Sequence, residues 1–303
     1  MLSRLLALGA VFACPVSALT WGTTKFFFVF GDSYTTTGFN ISAGIDSPVP
    51  GFTASNGPNW VQFLGGTYNV TDTRVFDLAS GGATTDSKLV TPFEPTVLSL
   101  VDQVAQFDQF LSPSPAEAPW KSNNSLAGIF IGINDVGNSW DWTNVTQHGF
   151  HITLLNRYFQ QVENLYEKGI RSFLFVNVPP LDRTPLFLVQ GTSATQAVKA
   201  SVADYNAQLS GQVKAFQSRH KDLDQITVFD SNALFNTLLD GATTLGFVNS
   251  TGFCEAYQNG TPETTTQVAG CAPVSSYFWL NTLHPLFVIH DILAHAISTI
   301  LSR

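Results

Sequence analysis

Four short blocks carry residue types suited to nucleophilic attack on a carbonyl. The first is Phe30-Gly31-Asp32-Ser33-Tyr34, which ends the apolar run Lys25-Phe-Phe-Phe-Val-Phe30. A serine on a sharp strand-to-helix turn exposes its hydroxyl, and the same turn aims backbone amides at a developing oxyanion. Ser33 is thus a candidate nucleophile, although Asp32 or Ser33 would serve equally well as a helix N-cap. In Ala79-Ser-Gly-Gly-Ala-Thr84, Gly82 offers a backbone N–H that a ligand can approach with no side chain in the way. Gly132-Ile-Asn-Asp135 sets the amide of Asn134 where it can donate to an oxyanion. Leu283-His284-Pro285 supplies a base, placed before a proline that can open a helix at its first turn. Singly, Gly81-Gly82 reads as a turn, Asn134-Asp135 as a turn or cap and His284 as a loop residue. Together, in this chain order, they make a nucleophile, two oxyanion donors and a base.

These residues need a scaffold that brings the blocks to one place. Besides Lys25–Phe30, strand-like runs occupy Arg74–Leu78, Leu126–Ile133, Arg171–Val178 and Gln225–Asp230. Helical patterns fill Glu94–Leu111, Ile152–Lys168, Ala194–Arg219 and Pro285–Leu301 between and after them. Apolar strands alternating with helices predict a mostly parallel α/β sheet covered on both faces. Ligands bind beyond the carboxyl ends of such strands, the rim on which Ser33, Gly82 and Asn134 fall. Segments 40–60 and 241–280 lack periodicity and read as long loops walling a cleft. Residues 19–303 are expected to form a single domain.

Residues 1–18 have the pattern of a secretory leader: Arg4, an apolar core over Leu5–Ala13, and Val16-Ser17-Ala18 before a cleavage point. Loss of Arg4 would take the formal charge from −8 to −9. That balance disfavours nucleic acid and anionic membranes as partners. Cys14 would leave with the leader, and Cys254 and Cys271 would pair in an oxidising compartment. Sequons at Asn40, Asn69, Asn123, Asn144, Asn249 and Asn259 fit a glycosylated, secreted, extracellular protein. His148 and His151 lack a cluster of acidic or cysteine partners in the sequence, so no metal site is expected and both read as polar residues at a helix start. Asp32 and Asp135 read as structural, and His290 and His295 as packing or surface residues.

The four blocks resemble those of the GDSL esterases and lipases, in the SGNH hydrolase superfamily. The resemblance runs from Phe26 to the last helix. It implies a flavodoxin-like three-layer α/β/α sandwich with about five parallel strands. It further implies that Ser33 is the nucleophile, that Ser33, Gly82 and Asn134 form the oxyanion hole, and that His284 is the base. No metal or organic cofactor would be required. Within the superfamily, Gly31-Asp-Ser-Tyr-Thr-Thr-Thr-Gly-Phe-Asn40 and Ala79-Ser-Gly-Gly-Ala-Thr-Thr85 are similar to fungal acetylesterases of carbohydrate esterase family 16. An acetylated hemicellulose oligosaccharide is the substrate implied.

One position departs from the family pattern. Where an Asp three residues before the histidine is usual, this chain has Asn281. Its carbonyl can fix the histidine tautomer but brings no full negative charge. A backbone carbonyl near 281 is an alternative support, whereas Asp291 would lie too far along a helix beginning at Pro285. Trp140, Trp142 and Trp279, near the catalytic blocks, suit a stacking platform for sugar rings, or simply pack in the interior. Two other functions stay open on the sequence. The 25 phenylalanines suit the acyl groove of a lipase or longer-acyl esterase, and Asn281 suits a non-catalytic carbohydrate-binding protein on an esterase scaffold.

Overall fold

Five strands form one all-parallel sheet: β1 (Phe26–Gly31), β2 (Arg74–Asp77), β3 (Ser125–Phe130), β4 (Ser172–Val176) and β5 (Gln225–Phe229), in the order β2-β1-β3-β4-β5. The helices are α1 (Trp60–Gln62), α2 (Leu100–Phe110), α3 (Ile133–Ser139), α4 (Gln147–Glu167), α5 (Pro185–Leu188), α6 (Thr192–Arg219), α7 (Ser231–Asp240) and α8 (Phe287–Leu301). This computed structural model describes residues 19–112 and 114–303, so the expected leader, 1–18, lies outside the described residues. No helix among the described residues is long and apolar enough to cross a membrane. The α/β sandwich expected from the alternating pattern is the fold observed.

β1 shows why its sequence is a continuous apolar run. Phe27 points to one face and meets Trp21 and Trp60 edge-on, with ring centroids 5.6 and 6.2 Å away. Phe28 and Phe30 point to the other, against Phe107 of α2 at 5.0 and 6.1 Å. All three phenylalanines are buried, and burying each contributes about 1.5–3 kcal/mol. With no solvent face there is no polar alternation, and the strand is anchored just before the turn that bears Ser33.

Several boundaries differ from the sequence expectation. β3 ends at Phe130 rather than Ile133, because Gly132 adopts φ 118° as the N-cap of α3. α2 begins at Leu100, not Glu94, since Ser99 and Asp102 form a reciprocal capping box there. α4 begins at Gln147, capped by the Thr146 side chain accepting from Gly149 N–H. Pro285 does not open the last helix: it bridges Trp279 in a tight hairpin, and α8 starts at Phe287. Leu280 N–H donates to His284 O at 2.8 Å and Leu286 N–H to Phe278 O at 3.0 Å across this hairpin.

The two irregular segments are tied down by side chains. Cys254 and Cys271 form a disulfide, with Cα atoms 6.2 Å apart. Around it Tyr257, Val274, Tyr277, Leu280 and Leu286 make a small apolar cluster separate from the main core. Asn56 then latches one segment to the other, as Asn56 Nδ2 donates to Thr261 Oγ1 at 2.8 Å and Thr261 N–H to Asn56 Oδ1 at 2.6 Å.

Candidate active site

In a sheet ordered 2-1-3-4-5, the crevice opens where the order reverses, between β1 and β3. Ser33 follows β1 and Asn134 follows β3, so both stand at that crevice. After Gly31 the chain makes one helical turn, Thr35 N–H and Thr36 N–H both donating to Asp32 O. Gly31 is required here, because a Cβ would come within 2.6 Å of Phe130 O and 2.7 Å of Thr35 Oγ1. The result is a half-buried Ser33 over a buried turn.

The tertiary structure brings His284 to Ser33 across 251 residues of sequence. Ser33 Oγ lies 2.8 Å from His284 Nε2, and His284 Nδ1 lies 3.0 Å from Asn281 Oδ1. Asn281 Oδ1 also accepts from Leu283 N–H at 3.0 Å and His284 N–H at 2.9 Å. Two backbone donors identify that atom as the carbonyl oxygen, so His284 carries its proton on Nδ1 and presents a bare Nε2 to the serine. The Asn281 side chain is therefore what faces the ring, rather than a backbone carbonyl. Burial pulls the His284 pKa down to about 4, since no carboxylate compensates the lost hydration of an imidazolium. Asp291 takes no part: its Oδ1 accepts from Tyr68 Oη at 2.7 Å.

Gly82 and Asn134 are linked through Ala83. Gly82 adopts φ 82°, and the Phe93 ring edge lies 2.2 Å from where a Cβ would stand, so both conformation and space call for glycine. Asn134 Nδ2 donates to Ala83 O at 2.9 Å. One of its two N–H bonds is thereby spent on orientation, and the other remains for a ligand. Asp135, fully buried, accepts from Thr85 N–H at 3.0 and 3.1 Å and from Thr85 Oγ1 at 3.2 Å. Residues 134–135 thus grip 83–85, the segment that follows Gly82. Asp32 Oδ1 accepts from Tyr34 N–H at 2.9 Å inside its own turn. Burial pushes both carboxyls up to about 7.

Sequence reasoning missed Tyr34 and Phe93. Tyr34 Oη donates to Leu283 O at 2.6 Å, pinning the residue before His284 to the residue after Ser33. Phe93 is 72% exposed beside Gly82. Nothing local marks either residue, apart from Tyr34 being adjacent to the serine. Tyr34→Phe should lower kcat a few-fold at unchanged KM, because the hydroxyl positions the histidine loop and does not reach a substrate. Steady-state kinetics beside a melting curve checks this; a change in KM alone would contradict a positioning role.

The tryptophans separate. Trp279 is 1% exposed and its indole N–H donates to Ser250 O at 2.8 Å, so it cannot stack on a sugar; its place in a platform is corrected to the interior. The hairpin that carries His284 turns this ring inward. Trp140 stays half-buried, edge-on to Phe187 at 5.8 Å. It belongs to the His284 side of the rim, since Leu186 N–H donates to Thr282 O. Trp142 packs on Phe150 at 5.0 Å. His151, expected as a polar helix-start residue, is buried instead, and shares Asp204 with His148, each Nδ1 being 2.7 Å from one carboxylate oxygen. No group of three or more His, Cys, Asp or Glu among the described residues is placed to hold a metal. His290 is buried, with Nδ1 accepting from Trp60 N–H at 3.4 Å, and His295 stacks on Tyr68.

A half-buried serine and a neutral histidine with its free nitrogen on the serine oxygen form an acyl-transfer geometry, with Gly82 and Asn134 as the candidate oxyanion donors. Known proteins agree with that chemistry. The chain is 36% identical over 299 residues to an acetylesterase of Thermothelomyces thermophilus, covering 96% of this chain and 92% of that protein. Among solved structures, an α/β hydrolase from the metagenome of Lake Arreo superposes with a TM-score of 0.52 at 14% identity, covering 94% of this chain and 99% of that one. An acetyl-xylooligosaccharide esterase from Geobacillus gives 0.50 at 16% identity, covering 94% and 97%; both likenesses concern the fold alone. The model of the GDSL-like lipase/acylhydrolase family matches residues 27–297, and the chain belongs to that family.

Proposed function

We propose that the protein is a secreted acetylesterase that removes acetyl groups from acetylated hemicellulose oligosaccharides. The Ser33–His284–Asn281 chain of contacts carries this reading, and the similarity to the Thermothelomyces acetylesterase supports the acyl group. Ser33 Oγ attacks the acetyl carbonyl while His284 Nε2 takes its proton. The carbonyl oxygen becomes an oxyanion held by Ser33 N–H, Gly82 N–H and Asn134 Nδ2–H. Collapse breaks the ester bond, and His284 Nε2–H protonates the departing sugar oxygen. Water then attacks the acetyl-Ser33, giving its proton to His284, and acetate leaves with Ser33 restored.

Exposed Phe93 beside Gly82 favours a second reading, a longer-acyl esterase, because an apolar ring at the oxyanion hole suits an acyl chain. Acetate release from acetylated xylan, mannan and pectin fragments tests the first reading. Rates on p-nitrophenyl esters of increasing chain length separate the two: a steep fall beyond acetate favours the acetylesterase, and a rise favours the second.

Asn281 yields a paired prediction. Asn281→Ala should lower kcat about tenfold or more, because the imidazole loses the acceptor that sets its tautomer. Asn281→Asp should keep activity or raise it, since a carboxylate also stabilises the imidazolium. With His284 held at about 4, kcat/KM should fall only as the pH drops through about 4 and the base becomes protonated. The added charge in Asn281→Asp favours that protonated form and should move the acidic limb upward. An unaffected alanine variant would remove this side chain from the mechanism.

A further inference from the structure

We propose that the cleft between segments 51–58 and 258–264 is a subsite for the alcohol half of the substrate, binding a neutral chain of sugars next to the catalytic centre. This rests on the acetylated-saccharide reading above and adds where the saccharide lies and what charge it bears. The cleft has a volume of about 710 Å³, and Leu280 and Asn281 are part of its lining. That size is within the roughly 300–1,000 Å³ of small-molecule sites. Ser33 and His284 are outside its lining, so it offers no room for the reacting carbonyl itself. Asn281 joins the two regions: the residue whose oxygen faces His284 Nδ1 is also part of the cleft wall. An ester bound with its carbonyl at Ser33 can therefore extend its alcohol portion past Asn281 into the cleft.

The chemistry of the walls selects the ligand class. Gln258 and Thr264 line the cleft, and their side chains make no hydrogen bond to protein among the described residues; the same holds for Gln62 Nε2. Amides and hydroxyls both donate and accept, as sugar hydroxyls do. No lysine or arginine lines the cleft, and its one charge is Glu263. Carboxylated or phosphorylated ligands are recognised by guanidinium and ammonium groups, so a negatively charged glycan is disfavoured here. Phe52, 74% exposed, adds an apolar ring face at the lip, the kind of surface on which the C–H face of a pyranose packs.

The walls are also preformed. Gly51 N–H and Phe52 N–H donate to Thr37 O at 3.0 and 3.1 Å, tying the Phe52 wall to the strand-end turn that bears Ser33. The Asn56–Thr261 latch joins this wall to the other, and the Cys254–Cys271 disulfide anchors the second wall from behind. A site that is ordered before binding avoids the entropy cost of ordering loops around a ligand.

The test compares kcat/KM on acetylated xylotetraose with that on p-nitrophenyl acetate, for wild type, Phe52→Ala, Gln258→Ala and the double variant. The protein is made in a host that adds no N-glycans, because Asn259 of the wall begins a sequon. The ratio of tetrasaccharide to aryl ester should fall about tenfold in the double variant, mainly through KM. Both side chains are exposed, and a melting curve verifies that each variant is folded. A ratio that stays within twofold of wild type overturns the subsite while leaving the acetylesterase reading in place. A wild-type protein that cleaves the aryl ester but releases no acetate from any acetylated oligosaccharide overturns the parent reading and the subsite with it. As a direct measurement, xylotetraose should perturb the NMR signal of the Gln258 side-chain amide in Ser33→Ala, and lack of any perturbation at saturating sugar counts against the site.

Discussion

Replacing Ser33 by alanine is expected to abolish ester hydrolysis, with a loss of at least about a thousandfold in kcat. Alanine offers no nucleophilic atom to form the acyl-enzyme. The residual rate would come from the oxyanion donors acting on bound ester and water. The fold should be indifferent to the change: Ser33 is half-buried, and its hydroxyl hydrogen-bonds only His284 among the described residues. The turn is held instead by Asp32 O and Gly31. A fluorophosphonate should label the wild type once, at Ser33, and fail to label the variant. Activity above about a thousandth of wild type in the alanine variant, measured on p-nitrophenyl acetate, would mean that a different residue is acylated.

Asn134→Ala should reduce kcat by about 10²–10³-fold with little change in KM. The donor strengthens its hydrogen bond as the carbonyl oxygen becomes charged, so its loss is felt in the transition state far more than in the bound ester. The structure adds a second consequence. One N–H of Asn134 already holds Ala83 O at 2.9 Å, so alanine also frees the segment carrying Gly82. Asn134→Asp loses both roles and adds a negative charge. A carboxylate cannot donate to Ala83 O and would face the oxyanion with like charge, so this variant should be slower than alanine. If KM rises while kcat is kept, Asn134 binds substrate and the oxyanion role is wrong.

The acidic side of the profile follows from the absence of a carboxylate at 281. An imidazole buried beside a neutral amide resists protonation, so the base stays available at acidity that would silence a histidine of ordinary pKa. The cost is a less stabilised imidazolium once the serine proton has moved. Asn281→Asp exchanges one property for the other, which makes the pH limb as informative as the rate.

Local sequence was enough for the sheet and for the four blocks. β1 and β3 are covered on both faces, and a strand without a solvent side must be written as a run such as Phe26–Phe30. The turns that end these strands need glycine and small polar residues for steric reasons, and this put Ser33, Gly82 and Asn134 on one rim before any coordinates. Local sequence could not say which group supports His284, because Asn281 and a backbone carbonyl are equally compatible with the spacing. The hairpin from Phe278 to Leu286 decided that by folding the Asn281 oxygen onto three N–H groups. The same hairpin turned Trp279 into the interior, while Phe93 and Phe52, with no motif to mark them, were left at the rim. Asp204 reached His148 and His151 only because α4 packs along α6. Periodicity and turn chemistry act over a few residues and are written into the chain locally. Which side chain meets which across 50 to 250 residues depends on how helices pack and loops return, and that is a property of the folded molecule alone.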